Sequence, residues 1–274
     1  MAKLMKLENR TAVVTGAASG IGRAVAVSLS RRGCHLALAD VNDDKLRETV
    51  QMVSRGNLRV SRHRLDVGDR EAVAAFPEAV LAQHPGVDVL VNNAGVAIGG
   101  TFDMASEEDF EWLFDINFWG VVRMTRAFLP LLKKSDDARL VNVSSLFGII
   151  APPEQTAYSA SKFAVRGFSN SLRHELAKTN VGVTVVHPGG VATSIADSAR
   201  LPKGATPEEI VRRRARINKA LRLPPETAGE IIVKGIERRQ ARVLVGTDAK
   251  VIALLERFAP VSYWKVFERY LRAT

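Results

Sequence analysis

Tyr158, Lys162 and Ser145 are the residues of this 274-residue chain whose types and spacing can do chemistry together. They lie between Arg139 and Lys178, a stretch that reads as an apolar strand, a serine pair, a proline-broken loop and a long helix. Tyr158 and Lys162 are four residues apart and so share one helix face. Ser145 ends the strand, 13 residues before the tyrosine. A phenol, an ammonium and a hydroxyl can therefore meet in one cleft. A free tyrosine has a pKa of about 10, too high for a base at neutral pH. A fixed cation beside it favours the phenolate, and each pKa unit is worth about 1.4 kcal/mol. The chemistry is proton transfer to or from a hydroxyl or carbonyl oxygen. Tyr-x-x-x-Lys alone is a common helix spacing, equally filled by a packed tyrosine and a solvated lysine. The elements that position the pair decide between the two.

Short apolar strands alternate with longer helical patterns. Strands are expected at 11–15, 34–40, 58–66, 87–93, 139–145, 181–188 and 241–246. Helices are expected at 21–32, from Asp43, and at 69–83, 106–134, 157–178 and 225–238, with a helical tail. Repeated strand–helix–strand units with apolar strands predict a doubly wound α/β sheet of about seven parallel strands, flanked by helices on both faces. No linker interrupts the pattern, so residues 1–274 read as one domain. Such a sheet opens a cleft at the carboxyl ends of its strands, where strand order reverses.

Polar motifs sit at those strand ends. TGAASGIG runs from Thr15 to Gly22, at the first strand-to-helix junction. Gly16, Ser19, Gly20, Ile21 and Gly22 there can bring backbone close to a pyrophosphate at a helix N-terminus. Asp40 ends the second strand, where a carboxylate can accept from ribose hydroxyls and would repel a 2′-phosphate. It argues for NAD over NADP, and the small Ser19, where a basic residue would meet that phosphate, agrees. Asp66, with Val67, ends the third strand and can accept from an adenine amino group. NNAG (Asn92 to Gly95) ends the fourth; Asn93, Ala94 and Gly95 let backbone pass close to a ligand while the amides brace the loop. Asn117 is a polar amide amid Ile116, Phe118 and Trp119, able to distort the long helix and hold a water. HPGGVAT (His187 to Thr193) ends the sixth strand, where a Pro-Gly turn can expose backbone to a nicotinamide amide.

In this order and spacing, across roughly residues 9–195, the sequence resembles the classical short-chain dehydrogenase/reductase family. The resemblance implies a Rossmann-type fold, hydride transfer between a hydroxyl or carbonyl carbon and a nicotinamide, and four catalytic residues: Asn117, Ser145, Tyr158 and Lys162. Tyr158 is then the acid/base. Lys162 favours its ionised form and binds the nicotinamide ribose. Ser145 hydrogen-bonds the substrate oxygen, and Asn117 holds a water in a relay toward Lys162. Cofactor contacts follow at the glycine turn, Asp40, Asp66, Val67, Asn93, Ala94, Gly95, Tyr158, Lys162, Pro188, Gly189, Val191 and Thr193. Leu146, Phe147 and Gln155, with Ser145 and Tyr158, are expected at the substrate; Val96, Ile149 and Ile150 extend the apolar lining of a pocket for a hydrophobic alcohol or ketone. The resemblance further implies a homodimer or homotetramer built on the helices at 106–134 and 157–178. Two rivals are an NADP-dependent carbonyl reductase, which Asp40 disfavours, and a dinucleotide-sensing scaffold, which would not need Tyr158, Lys162, Ser145 and Asn117.

Composition narrows the partners. The net charge is +10, but residues 200–222 carry eight Lys/Arg against two Asp/Glu, and residues 250–274 five against two. The first two-thirds is neutral and no helix-turn-helix or zinc pattern accompanies the excess, so no nucleic-acid partner is expected. Residues 190–222 stand where the resemblance places a substrate lid. The run from Val211 to Arg222 either attracts an acidic substrate or phospholipid surface, or packs Ile210, Ile217 and Leu221 and solvates its arginines. The tail (250–274) groups Tyr263, Trp264, Phe267 and Tyr270 with Lys265, Arg269 and Arg272, as an amphipathic helix would at a membrane surface, at a subunit contact or packed against its own domain. The single Cys34 excludes an internal disulfide and suits a reducing compartment. No apolar run reaches the ~20 residues of a membrane span, and the start, MAKLMKLENR, lacks a signal-peptide core. A cytoplasmic location, at most membrane-surface associated, is expected. The five histidines show no ligand spacing, so no metal is expected.

Overall fold

Six apolar runs and one alternating segment, VSRHR, form seven strands: β1 (Thr11–Thr15), β2 (His35–Asp40), β3 (Val60–Arg64), β4 (Val89–Asn92), β5 (Ala138–Val143), β6 (Val181–Pro188) and β7 (Arg242–Val245). The computed structural model describes residues 4–195, 197–200 and 206–265, leaving aside the side chains at 207, 209, 210, 213 and 216. All strand pairs are parallel and their order is β3-β2-β1-β4-β5-β6-β7. The reversal between β1 and β4 opens the cleft expected at the strand carboxyl ends.

Period-two alternation sends neighbouring strand residues to opposite faces, and both faces are apolar. Ala12, Val14, Val89, Val91 and Val141 meet α1 (Gly20–Ser30), α2 (Asp43–Val53) and α8 (Pro225–Glu237). Val13, Leu90 and Leu140 meet α3 (Arg70–Leu81), α5 (Gly120–Leu132) and α6 (Thr156–Glu175). Cys34 packs as expected: its thiol donates to the Leu7 carbonyl at 3.0 Å, and burial pushes it up to about 12, which leaves it inert.

Three expectations change. The helix expected over 106–134 is interrupted: α4 (Glu107–Phe114) passes through a π-helical turn at Asp115–Trp119 before α5 begins. The basic stretch, which the expected helices did not include, contains α7 (Pro207–Ala220), in which Ile210, Arg213 and Arg216 lie outside the described side chains. The tail is not one amphipathic helix. α9 (Thr247–Phe258) stops because Pro260 has no N–H to donate and drives Ala259 out of helical geometry, to φ −135° and ψ 59°. After this break Tyr263 turns inward, accepting a hydrogen bond from Ala151 N at 2.9 Å. That ring also packs against the cluster of Leu146, Ile149 and Ile150. Phe267, Arg269, Tyr270 and Arg272 lie outside the described residues. No helix among the described residues is long and apolar enough to cross a membrane.

Candidate active site

The glycine turn is held from below by β4. Thr15 Oγ1 accepts from Asn93 N at 3.0 Å and Ala94 N at 3.1 Å, and Asn93 Nδ2 donates to the carbonyls of Thr15 (3.0 Å) and Gly16 (3.2 Å). The Asn93 amide is therefore a strut for the turn, the bracing part that the sequence reading gave to the amides of this motif. Gly16 has φ +65°, and a Cβ there would lie 2.8 Å from Asn93 Nδ2. Gly22 packs still closer, since a Cβ would sit 2.0 Å from Gly16 O. Ser19 precedes α1 without capping it by its side chain, so backbone donors at that helix start face the cleft. These features fit a pyrophosphate. Gly22→Ala is expected to force backbone from backbone, lowering dinucleotide affinity about tenfold or more and stability by about 1–3 kcal/mol. Fluorescence titration with NADH and chemical denaturation check both, and wild-type values in that variant would contradict the packing argument.

Asp40 stands half-buried at the lip of the turn, its carboxylate accepting from Ala18 N and Asn42 N, both at 2.9 Å. Arg23, the nearby cation on α1, is turned to Thr49 Oγ1 (2.9 Å), the Lys45 carbonyl (3.0 Å) and Glu48 (2.9 Å). Asp66 is exposed and accepts from Gly68 N at 2.8 Å. Val67 is buried, and its methyl would lie 2.8 Å from a Cβ on Gly120.

Ser145, Tyr158 and Lys162 do converge. Ser145 leads from β5 into a single 3₁₀ turn (Leu146–Gly148) and accepts from Phe147 N at 3.1 Å. Its side chain also lies near enough to the Tyr158 phenol to favour the phenol's ionised form. Lys162 is 4% exposed; its Nζ donates to the Val143 carbonyl at 3.2 Å and lies 5.7 Å from the centre of the Tyr158 ring. Burial raises the phenol above its ordinary value, the Ser145 side chain works the other way, and burial lowers the lysine to about 8. Asn117 is fully buried in the π-helical turn. Its Oδ1 accepts from Val96 N (2.8 Å) and its Nδ2 donates to Val96 O (3.0 Å) and Ser161 Oγ (3.2 Å). Both amide hydrogens are thus committed to joining the loop after β4 to α6. Gly95 lies in this loop, where a Cβ would be 3.1 Å from Asn117 Oδ1 and 3.4 Å from Lys162 Nζ.

The segment after β6 closes the other side. Pro188 ends β6, and Gly190 N donates to Asp248 Oδ2 at 2.7 Å. A Cβ on Gly189 would meet that oxygen at 2.2 Å. Val191 bridges to Leu223, and the Thr193 methyl would lie 2.9 Å from a Cβ on Gly20. Further along, Arg200 pairs with Asp109 at 2.9 Å and stacks 3.5 Å over the Trp112 ring, stitching this segment to α4. On the substrate side, Phe147 meets the Tyr158 ring edge-on at 6.1 Å, and half-buried Gln155 shares a small groove with Ile98, Phe102 and Phe110. Leu146 does not stay with them: it is buried with Ile149, Ile150, Ala249 and Tyr263, packing under α9.

Four supporting residues escaped the sequence reading of roles. Thr15 holds β4 as above. Asn142 accepts from Asn92 Nδ2 (2.9 Å) and donates to Ser169 Oγ (3.0 Å), tying β4 and β5 to α6. A polar residue inside an apolar strand was its visible signal. Asp248 had none, being 58 residues from the glycine it holds. His187, fully buried, donates from Nδ1 to the Ser145 carbonyl at 2.9 Å. Burial lowers His187 to about 4, and His84 likewise. A histidine with a folded value below its ordinary 6.5 favours the neutral form, so its stabilising contribution is complete above pH 6.5 and is lost as pH falls toward 4. Denaturation midpoints are expected to drop across that window; a flat profile would contradict the burial of both rings.

Residues 10–203 match the family described as short chain dehydrogenase. SadH of Mycobacterium tuberculosis is 44% identical over 268 residues, covering 96% of this chain and 95% of SadH. The oxidoreductase UcpA of Salmonella typhimurium is 37% identical over 229 residues, covering 82% of this chain and 87% of UcpA. A Burkholderia phymatum short chain dehydrogenase/reductase solved in complex with NAD superposes with a TM-score of 0.86 at 30% identity, over 93% of this chain and 95% of that one. An alcohol dehydrogenase of the archaeon Thermococcus sibiricus, complexed with 5-hydroxy-NADP, gives 0.67 at 28% identity, over 87% of this chain and 96% of that one.

Proposed function

The chain belongs to the short-chain dehydrogenase/reductase family, and from that premise we propose that it is an NAD(H)-dependent oxidoreductase interconverting a hydroxyl and a carbonyl on a hydrophobic small molecule. The observation that carries this reading is the meeting of Ser145, the Tyr158 phenol and buried Lys162, one helical turn on, at the strand carboxyl ends beside the glycine turn. NAD, when bound, supplies the hydride acceptor or donor. Tyr158 takes or gives the hydroxyl proton. Ser145 donates to the same oxygen as charge grows on it. Lys162, with the positive charge that oxidised nicotinamide brings, offsets the burial that raises the phenol. Asn117 acts as a positioning residue, since its amide is committed to Val96 and Ser161. The lip carboxylate of Asp40, with Arg23 held by Glu48, supports NAD over NADP. Phe147 and the groove of Ile98, Phe102 and Phe110 support an apolar substrate. Trp119 and Phe163, exposed on the two long helical segments, support assembly into a dimer or tetramer. A turnover screen of hydrophobic secondary alcohols and ketones with both cofactors tests the proposal. Activity with NAD(H) supports it, and tight NADH binding with no turnover on any member of the panel counts against it.

A further inference from the structure

At the sheet edge opposite Tyr158, the amino ends of β5, β6 and β7 frame a cleft of about 800 Å³. Lys6, Arg10, Arg139, Arg173 and Arg239 line it against two carboxylates, Asp136 and Asp137. Both carboxylates are engaged, Asp136 by Arg10 and Asp137 by Arg239. Arg139 is different. It is the second residue of β5, paired in register with Gly182 of β6, and its guanidinium lies flat over that glycine: a Cβ there would be 2.1 Å from Nη1. It is 5% exposed, yet its Nε has no hydrogen-bond partner among the described residues. Burial and the neighbouring Arg239 both work against its charge, and Asp137 only partly offsets them. Arginine nonetheless keeps its proton at neutral pH, and a buried charge without a partner is costly. A strand residue of this kind would be apolar if packing were its only task.

We propose that this cleft is a second ligand site, which takes a small soluble phosphate-type dianion on the Arg139 guanidinium. The planar fork of arginine matches an oxyanion with two parallel donors. Five cations around two carboxylates leave the cleft positive. The C-terminal end of α6 faces the same space and its dipole opposes an anion, but Arg173 and His174 in the last turn counter it. Because Arg139 lies at the floor, a free anion reaches it and a flat membrane surface does not. The site is independent of the proposed oxidoreductase chemistry, which occupies the other edge of the sheet.

The test is calorimetric titration of the full chain with inorganic phosphate, under saturating NADH so that the glycine turn is filled, against chloride at matched ionic strength. Saturable phosphate binding is expected, weakened about tenfold or more in Arg139→Gln, the size of one charge-assisted contact. Arg173→Glu, at the rim, gives the same direction of change and keeps the test decisive should Arg139→Gln fail to fold. The proposal is overturned by no phosphate binding to the wild type, by binding that NADH abolishes, or by wild-type affinity in the folded variants. NADH binding itself is read in a separate titration, so failure of the dinucleotide assignment is distinguishable from failure of this one.

Discussion

Tyr158→Phe is expected to lower turnover about 10³-fold or more in both directions, within the range that general acid–base catalysis supplies. Affinity for NAD should stay close to the wild-type value, because the substitution removes one oxygen and leaves the ring packed edge-on against Phe147. The reasoning is local. The phenol is the group whose ionised form Ser145 favours, and Lys162 Nζ lies 5.7 Å from the centre of the same ring. Burial alone pushes the phenol the wrong way for a base, so catalysis depends on counterweights: Ser145, the lysine charge and the oxidised nicotinamide. Lys162 is itself lowered to about 8 by burial, so its charge is lost as pH rises through that region. Alcohol oxidation then reports both groups in its pH profile. Full activity in Tyr158→Phe would remove the tyrosine from the mechanism.

The second large effect is on cofactor choice. Asp40→Asn keeps an acceptor for the lip of the glycine turn and removes the charge. The ratio of kcat/KM for NAD(H) to that for NADP(H) is expected to fall about 10- to 100-fold, since a carboxylate facing a 2′-phosphate in partly screened surroundings is worth a few kcal/mol. Asp40→Ala should shift the ratio in the same direction and also loosen the turn, weakening both cofactors. A wild-type protein that already prefers NADP(H) would show that the carboxylate does not read the ribose.

Much of this architecture was legible before any coordinates. All seven strands stand where they were expected: the inner ones as apolar runs, because strands covered on both faces must be apolar along their length, and the edge strand β3, VSRHR, through its alternation. Asn117 was legible as an anomaly, and the π-helical turn is the distortion that its polarity among Ile116, Phe118 and Trp119 announced. Its use was not legible: the sequence cannot show that both amide hydrogens are taken by Val96 and Ser161. Leu146 shows another limit, since a pocket wall and a core position demand the same residue type. Tyr263 shows a third. Its clustering with Trp264 and Lys265 fitted a membrane face, a subunit contact or packing against the domain alike, and only the fold shows that Pro260 breaks the helix and that Tyr263 reaches Ala151, 112 residues away. Contacts such as Asp248 with Gly190 belong to the folded chain alone, because nothing local marks either residue as the other's partner.

The central claim is hydride transfer between a substrate carbon and a nicotinamide at Tyr158. It is tested most directly by incubating the protein with NAD and a hydrophobic secondary alcohol that the screen finds active, deuterated at its carbinol carbon, and measuring the mass of the reduced cofactor. The account predicts that the deuterium appears in NADH, and that Tyr158→Phe forms almost none. Deuterium released to solvent, or ketone formed while NAD stays oxidised, would contradict it.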